Sequence, residues 1–173
     1  KRSIRQCQAV SGDAQSPDLV SFVGFEWTQV GRLPSEHFGH KNVLFEQLGD
    51  DQISARQIAA SGVTTQTLRT TMQGVSPALA LEDMPERESY FDFNRFLANI
   101  RKVPACDPSV SSDRLPADCF EEAATPGELV RRLEEQGLDP LIIPHGSSWG
   151  FYTPPGTTWD KSLAPSERPE KFS

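Results

Sequence analysis

The sequence lacks long hydrophobic runs and clusters of basic residues. Only 36% of its 173 residues are hydrophobic, and no stretch approaches the roughly 20 apolar residues that a helix needs to cross a bilayer. The formal net charge is -7, and at most two Lys or Arg residues are adjacent, whereas a nucleic-acid-binding surface is basic. We therefore expect no membrane span and no nucleic-acid partner.

Cysteine is scarce as well. The chain has Cys7, Cys106 and Cys119, and their spacing does not contain the Cys-x-x-Cys pair typical of structural zinc sites. Cys106 and Cys119 bracket a polar segment of little apolar content, where a disulfide would restrict the unfolded chain. The alternative is a pair of free thiols in a surface loop. A disulfide would indicate an oxidising compartment, periplasmic or extracellular, and would leave Cys7 over.

An initiator Met and a signal peptide are missing too. The sequence begins at Lys1 and ends at Ser173, and we expect it to be a processed or excised piece of a longer protein. Its length suits one domain, residues 1–173. Within it, residues 50–90 and 104–120 are expected to be insertions or loops, except that Ile53–Ala60 is a candidate short helix.

What the sequence does contain is an alternation of strand and helix patterns. Apolar runs at Leu19–Phe25, Asn42–Phe45 and Pro140–His145 predict buried strands. Apolar spacing predicts a helix over Tyr90–Val103, and the capping signals of Thr125–Gly137 predict another. Because that helix leads directly into a strand, the pattern favours an α/β fold with mostly parallel strands.

Polar residues that can bind a metal ion stand at the ends of these strands. Glu26 follows the first strand, His40 opens the second and His145 ends the third. Ligands collect at the carboxyl ends of strands in α/β folds, and a carboxylate with imidazoles suits Zn, Mn or Fe. Taken singly, such a Glu often only faces water, and such a His is often a hydrogen-bonded loop residue. The remaining histidine, His37, is expected to be a loop residue.

A serine motif follows the third strand. Residues 146–150 read Gly-Ser-Ser-Trp-Gly, which matches the nucleophile elbow of α/β-hydrolases with Ser148 as the nucleophile. The elbow must lead into a helix, however, and Pro154 and Pro155 follow closely. No His comes after His145 to complete a triad, so a tight polar loop is the more common explanation.

Aromatic residues crowd the same segment. Trp149, Tyr152 and Trp159 lie there among prolines and glycines. They would either form one wall of a substrate pocket or close the end of a barrel where the regular core stops. The sequence favours neither. Nearby Lys161, and Lys41 just before the second predicted strand, are candidate contacts for an anion.

Three segments together resemble a known family. They are residues 22–28 (Phe-Val-Gly-Phe-Glu-Trp-Thr), 39–45 (Gly-His-Lys-Asn-Val-Leu-Phe) and 142–161 (Ile-Ile-Pro-His-Gly-Ser-Ser-Trp through Trp-Asp-Lys). They look like an uncharacterised bacterial family, a domain of unknown function related to the PHP (polymerase and histidinol phosphatase) superfamily. The loop from Cys106 to Cys119 and the Ala-Ala-Thr-Pro-Gly-Glu-Leu after it are similar as well.

The resemblance implies a fold and a metal site. The chain would be the central part of a distorted (β/α)7 PHP-like barrel with mostly parallel strands. Its mouth would hold two or three divalent metal ions, Zn, Mn or Fe. Glu26 matches the glutamate that bridges metals in that family, and His40 and His145 match ligating histidines. The opening His-x-His strand of the superfamily is absent from this chain.

The resemblance also implies an activity. PHP proteins hydrolyse phosphoesters with metal-activated water, so the expectation is a metal-dependent phosphoesterase that is incomplete as this piece. Its partners would be a small-molecule or phosphoester substrate and either the remaining fragments of the barrel or a second copy of the chain. The alternatives are a non-catalytic binding or scaffold fragment without metal and, less favoured, a serine hydrolase that uses Ser148.

Overall fold

The computed structural model describes residues 21–47, 52–54 and 56–145. The strands found there are β1 (Val23–Gln29), β2 (Gly39–Phe45), β3 (Ile58–Ala60), β4 (Glu121–Ala123) and β5 (Leu141–His145). The α-helices are α1 (Val63–Thr70), α2 (Pro77–Glu82), α3 (Arg87–Lys102) and α4 (Pro126–Glu135). Short 3-10 turns cover Pro34–Glu36, Met84–Glu86 and Ser112–Arg114.

The strands form two separate sheets. The larger sheet has the order β1-β2-β5, and both of its strand pairs are antiparallel. The smaller sheet pairs β3 with β4 in parallel. Among the described residues, none of the helices has the length and the apolar content of a membrane span.

The prediction that the chain forms part of a (β/α)7 barrel with mostly parallel strands is wrong. The described strands do not close a barrel, and the three strands that carry the family-like segments are antiparallel. Residues 30–38 connect β1 to β2, which is shorter than the dozen or more residues of a parallel crossover. The helix before β5 misled the sequence argument, because β5 pairs with β2 instead of with β4, the strand that precedes this helix.

The larger sheet buries one face. In β1 and β2 every second residue points inward, so Trp27 and Val43 join Leu129 and Leu133 of α4 and Ile142 in the core. The intervening residues face outward, as expected for an antiparallel sheet with one solvated face. The prediction of a first strand buried on both faces is therefore wrong, and Leu19, its expected start, lies outside the described residues.

Both predicted helices are confirmed, as α3 and α4. At the start of α4 the Thr125 hydroxyl accepts a hydrogen bond from the Glu128 backbone N–H at 3.1 Å. The Glu128 carboxylate accepts one from the Ala124 N–H at 2.9 Å. Gly137 ends the helix with φ of 75°, a backbone conformation that costs glycine little. In contrast, the short helix expected at Ile53–Ala60 is wrong, because residues 58–60 form β3.

A disulfide and a buried ion network hold the segment before β4. The sulfur atoms of Cys106 and Cys119 lie at bonding distance, with Cα atoms 4.9 Å apart, which confirms the predicted pair. Arg56 binds the Glu121 carboxylate at 2.8 Å and donates to the carbonyls of Leu115 and Pro116. Through Arg56, these bonds connect residues 106–119, the segment closed by the disulfide, to β4.

Glu121 is the centre of this network. Its second carboxylate oxygen accepts from Arg132 of α4 at 3.0 Å, and only 1% of its side chain is exposed. Burial alone would raise the pKa of Glu121, but hydrogen bonds from Arg56, Ser112 and Arg132 outweigh it and hold the pKa below its ordinary value.

Candidate functional site

The candidate site lies on the outward face of the larger sheet. Antiparallel pairing places Thr28 opposite His40 and Glu26 opposite Asn42. Glu26 and Thr28 are two residues apart on one strand, so the period of the strand puts them on the same face as His40. The pairing of β1 with β2 thus brings together residues that are distant in sequence.

Glu26, Thr28 and His40 form a hydrogen-bonded cluster. The Thr28 hydroxyl donates to Glu26 Oε1 at 2.8 Å and lies 3.1 Å from His40 Nδ1. Glu26 Oε1 also contacts His40 Nδ1 directly. The contact between a carboxylate and one ring nitrogen fixes the tautomer and the orientation of the imidazole.

The cluster is accessible to solvent. The side chain of Glu26 is 45% exposed and that of His40 is 16% exposed. The imidazole is therefore held against the sheet while the carboxylate reaches the surface. Such a pair contributes little to stability because water screens it, so its geometry is of interest mainly for binding and chemistry.

The backbone of His145 lies beside this cluster. The Cα atom of His145 is the register partner of His40, which makes Thr28, His40 and His145 one row across β1, β2 and β5. The carboxyl ends of β1 and β5 and the amino end of β2 therefore share one edge of the sheet. The structure describes only the backbone of His145.

Glu26 is not placed where the sequence predicted. The expectation was a residue at the carboxyl end of a buried strand, but Glu26 is the fourth of the seven residues of β1 and points outward. His40 does lie at the start of its strand and His145 at the end of its own, as expected. His37 follows the 3-10 turn in the connection between β1 and β2, in a loop as expected.

The described residues hold an incomplete set of metal ligands. No group of three or more His, Cys, Asp or Glu side chains that could bind a metal is present among them. Glu26 and His40 supply one carboxylate and one imidazole in contact, which is a donor pair that suits Zn, Mn or Fe. The two residue types fit the expected metal, and the described residues do not add a third ligand to them.

Several predicted site residues lie outside the described residues. They are Cys7, the proposed serine nucleophile Ser148, and the aromatic residues Trp149, Tyr152 and Trp159, together with Lys161. The pocket-wall and serine-hydrolase hypotheses therefore stay predictions.

Lys41 is not a surface contact for an anion. It is 0% exposed and points inward beside Trp27, with its ammonium 5.6 Å from the centre of the indole ring. The ammonium donates to the Phe38 carbonyl at 2.5 Å. Burial lowers the pKa of Lys41 from 10.5 to about 7. Alternation with the inward residues Val43 and Phe45 was the sequence signal that could have placed it inside.

Thr28 and a neighbouring cleft were not predicted from the sequence. Thr28 lies two residues after Glu26, so strand periodicity could have added it to the site. A cleft of about 520 Å³ adjoins Glu26 and Thr28. Its other lining residues are mostly apolar and come from four parts of the chain, including Phe25, Leu68, Phe96 and Phe120. A cleft of this size can hold a small organic molecule next to the cluster.

Searches of protein-family models, of curated proteins and of solved structures returned no match to this chain.

Proposed function

We propose that Glu26, His40 and His145 belong to a divalent-metal site and that the chain is part of a metal-dependent hydrolase acting on phosphoesters. One observation carries the proposal: Glu26 and His40 are in contact, and His40 and His145 are register partners in one sheet. The phosphoester class comes from the resemblance to PHP-related proteins.

Each residue has a separate task in this proposal. His40 and His145 would bind the ion through imidazole nitrogens. Glu26 would hold the His40 ring through Nδ1 and add negative charge at the ion. Thr28 would hold the Glu26 carboxylate through its hydroxyl. A divalent ion at such a site lowers the pKa of a bound water and stabilises the charge that develops on a phosphoryl group.

The adjoining cleft would receive the organic part of the substrate. Its mostly apolar lining next to Glu26 and Thr28 suits a leaving group with an apolar portion. The disulfide supports an oxidising compartment, and a periplasmic or extracellular location is part of the proposal.

Metal content and hydrolysis test the proposal together. The full chain is treated with a chelator, dialysed against Zn²⁺, Mn²⁺ or Fe²⁺, and analysed for bound metal by mass spectrometry and for hydrolysis of 4-nitrophenyl phosphate. We expect His40→Ala and His145→Ala to lose most of the bound metal and the activity, and Glu26→Gln to weaken both. His37→Ala is the matched control and should behave like the parent. Equal metal content in all four variants and the parent would contradict the proposal.

A binding module without metal is the second candidate function. The observation that favours it is the lack of a three-ligand group among the described residues. In that case the Glu26–Thr28–His40 cluster would serve as a hydrogen-bonding surface. Binding of a cleft ligand by chelator-treated protein, with no bound metal in the untreated protein, would support this function over hydrolysis.

A further inference from the structure

A second, polar cleft lies at the carboxyl ends of the parallel strands β3 and β4. The chain leaves β3 at Ser61 and Gly62 to begin α1, and it leaves β4 at Ala124 and Thr125 to begin α4. All four residues line one cleft of about 600 Å³. Ligands of α/β proteins bind in this position, because parallel strand ends and helix starts converge there.

Gln29 lines the same cleft and gives a second, independent indication that a ligand binds there. It is 4% exposed, and its Oε1 atom is buried without a hydrogen-bond partner among the described residues. A Cβ atom added to Gly62 would lie 3.1 Å from this oxygen, so Gln29 stands at the start of α1. Buried polar groups are nearly always hydrogen-bonded, and one left without a partner beside a cleft points to a ligand.

The start of α1 contributes side chains to this cleft. Its N-cap is Gly62, which has no side chain to accept from the first turn, in contrast to the Thr125 cap of α4. The Val63 N–H donates to the Val30 carbonyl at 2.9 Å, so the ligand contacts offered here are the Gln29 amide and side chains of the lining. The Gln29 amide can present either its oxygen or its nitrogen, because the two exchange by rotation.

The charges of the cleft disfavour a strongly anionic ligand. Arg32 is the one basic residue among the described lining residues, and Glu36 balances it in the same lining. The other polar groups are neutral: the amides of Gln29 and Gln66 and several hydroxyls, including those of Ser35, Thr67 and Thr71. A phosphate dianion would find no cluster of cations here.

We propose that this cleft binds a neutral polyhydroxylated ligand, a mono- or disaccharide. Sugar hydroxyls both donate and accept, as do the hydroxyls of Ser35 and Thr67 and the amide of Gln29. Phe38 adds an aromatic surface to the lining on which the apolar face of a sugar ring can pack. The volume lies within the range of small-molecule sites. The site does not depend on the metal proposal, since it shares none of Glu26, His40 and His145.

Titration calorimetry of the full chain in chelator tests this inference. The probes are glucose, galactose and maltose, with glucose 6-phosphate and inorganic phosphate as anionic probes. We expect at least one neutral sugar to bind, and we expect Gln29→Met to weaken that binding by about tenfold, the size of one hydrogen bond to a buried group. Gln73→Met is the matched control, since Gln73 is exposed and outside the cleft, and it should keep the parent affinity.

Stability separates a lost site from a lost fold. Gln29→Met removes a buried oxygen that has no hydrogen-bond partner among the described residues, so the ligand-free variant should melt at or above the parent temperature while the sugar-dependent rise in Tm becomes smaller. If it does not fold, Thr67→Val serves in its place and should also weaken sugar binding. Binding of phosphate alone, binding of no sugar, or parent affinity in Gln29→Met and Thr67→Val would each overturn the inference.

Discussion

Two carboxylates of this chain meet basic side chains in opposite surroundings. Glu121 is 1% exposed and is bound by Arg56 and Arg132, whereas Glu26 is 45% exposed and contacts His40. The contacts of Glu121 with the two arginines join β4, α4 and residues 106–119, the segment closed by the disulfide. The contact of Glu26 with His40 lies on the outer face of a sheet. The difference teaches that contacts of a carboxylate with a basic side chain serve stability where water is excluded and remain available for binding where it is not.

The strongest test of this comparison removes the buried carboxylate. Glu121→Ala would leave the buried guanidinium of Arg56 without a carboxylate and that of Arg132 with Glu128 alone, and we expect a loss of about 3–5 kcal/mol in the free energy of unfolding. Urea titration measures the loss. Asp92→Ala is the matched control, because Asp92 and Arg95 form an ion pair with both side chains more than 70% exposed, and it should cost less than about 1 kcal/mol. Similar losses in the two variants would refute the contrast.

The same network predicts the direction of the pH dependence. The folded pKa of Glu121 is depressed below its ordinary value of 4.5, so the unfolded chain takes up a proton first as the pH falls. The contribution of Glu121 to stability is therefore present above that value and is lost as the pH falls through the folded pKa. Glu121→Gln should remove this part of the acid dependence.

The buried Lys41 sharpens the comparison because it has no carboxylate partner among the described residues. Its pKa is lowered to about 7 in the folded state, so the unfolded chain binds more protons between that value and 10.5 and stability rises with pH there. Lys41→Met should stabilise the protein at pH 7 by an amount on the order of 3 kcal/mol and remove this rise. Urea titrations at pH 7 and pH 10 measure both effects, and a destabilised variant with the same pH slope would contradict the assignment.

Removal of the disulfide measures how much the segment beside the buried Glu121 network contributes to stability. Cys106 and Cys119 are 13 positions apart, and closing a loop of that length stabilises a protein by about 3 kcal/mol in the chain-entropy account. The double variant Cys106→Ser/Cys119→Ser should lose up to that amount of its free energy of unfolding, as measured by thermal unfolding. Cys7→Ser, which leaves the pair intact, is the control and should have the same melting temperature as the parent.

The smallest effect is expected at the exposed cluster. Glu26→Gln keeps the shape of the side chain and removes its charge, and its cost in stability should stay below about 1 kcal/mol because the pair is partly solvated. A loss of several kcal/mol in urea titration would mean that the cluster is structural, like the Glu121 network, and the distinction between the two regions would fail.

The closeness of Glu26, His40 and the backbone of His145 was easier to predict from the sequence than the direction of the strands that carry them. Glu26, His40 and His145 were selected because polar residues stood next to apolar runs, a local pattern that holds in either strand direction. The direction itself depends on which strands pair, and the helix before β5 suggested the wrong partner. Thr28 and Gln29 were missed because the first strand was expected to end at Phe25, while the structure continues it to Gln29.

The sequence by itself determined the local elements whose causes are short in range: the caps of α4, the amphipathic α3 and the strand segments of β1, β2 and β5. Only the tertiary structure decided that the main sheet is antiparallel and that Glu121 joins two arginines from distant segments. Those outcomes depend on contacts between residues far apart in the chain, and such contacts leave no periodic trace in the sequence around each residue.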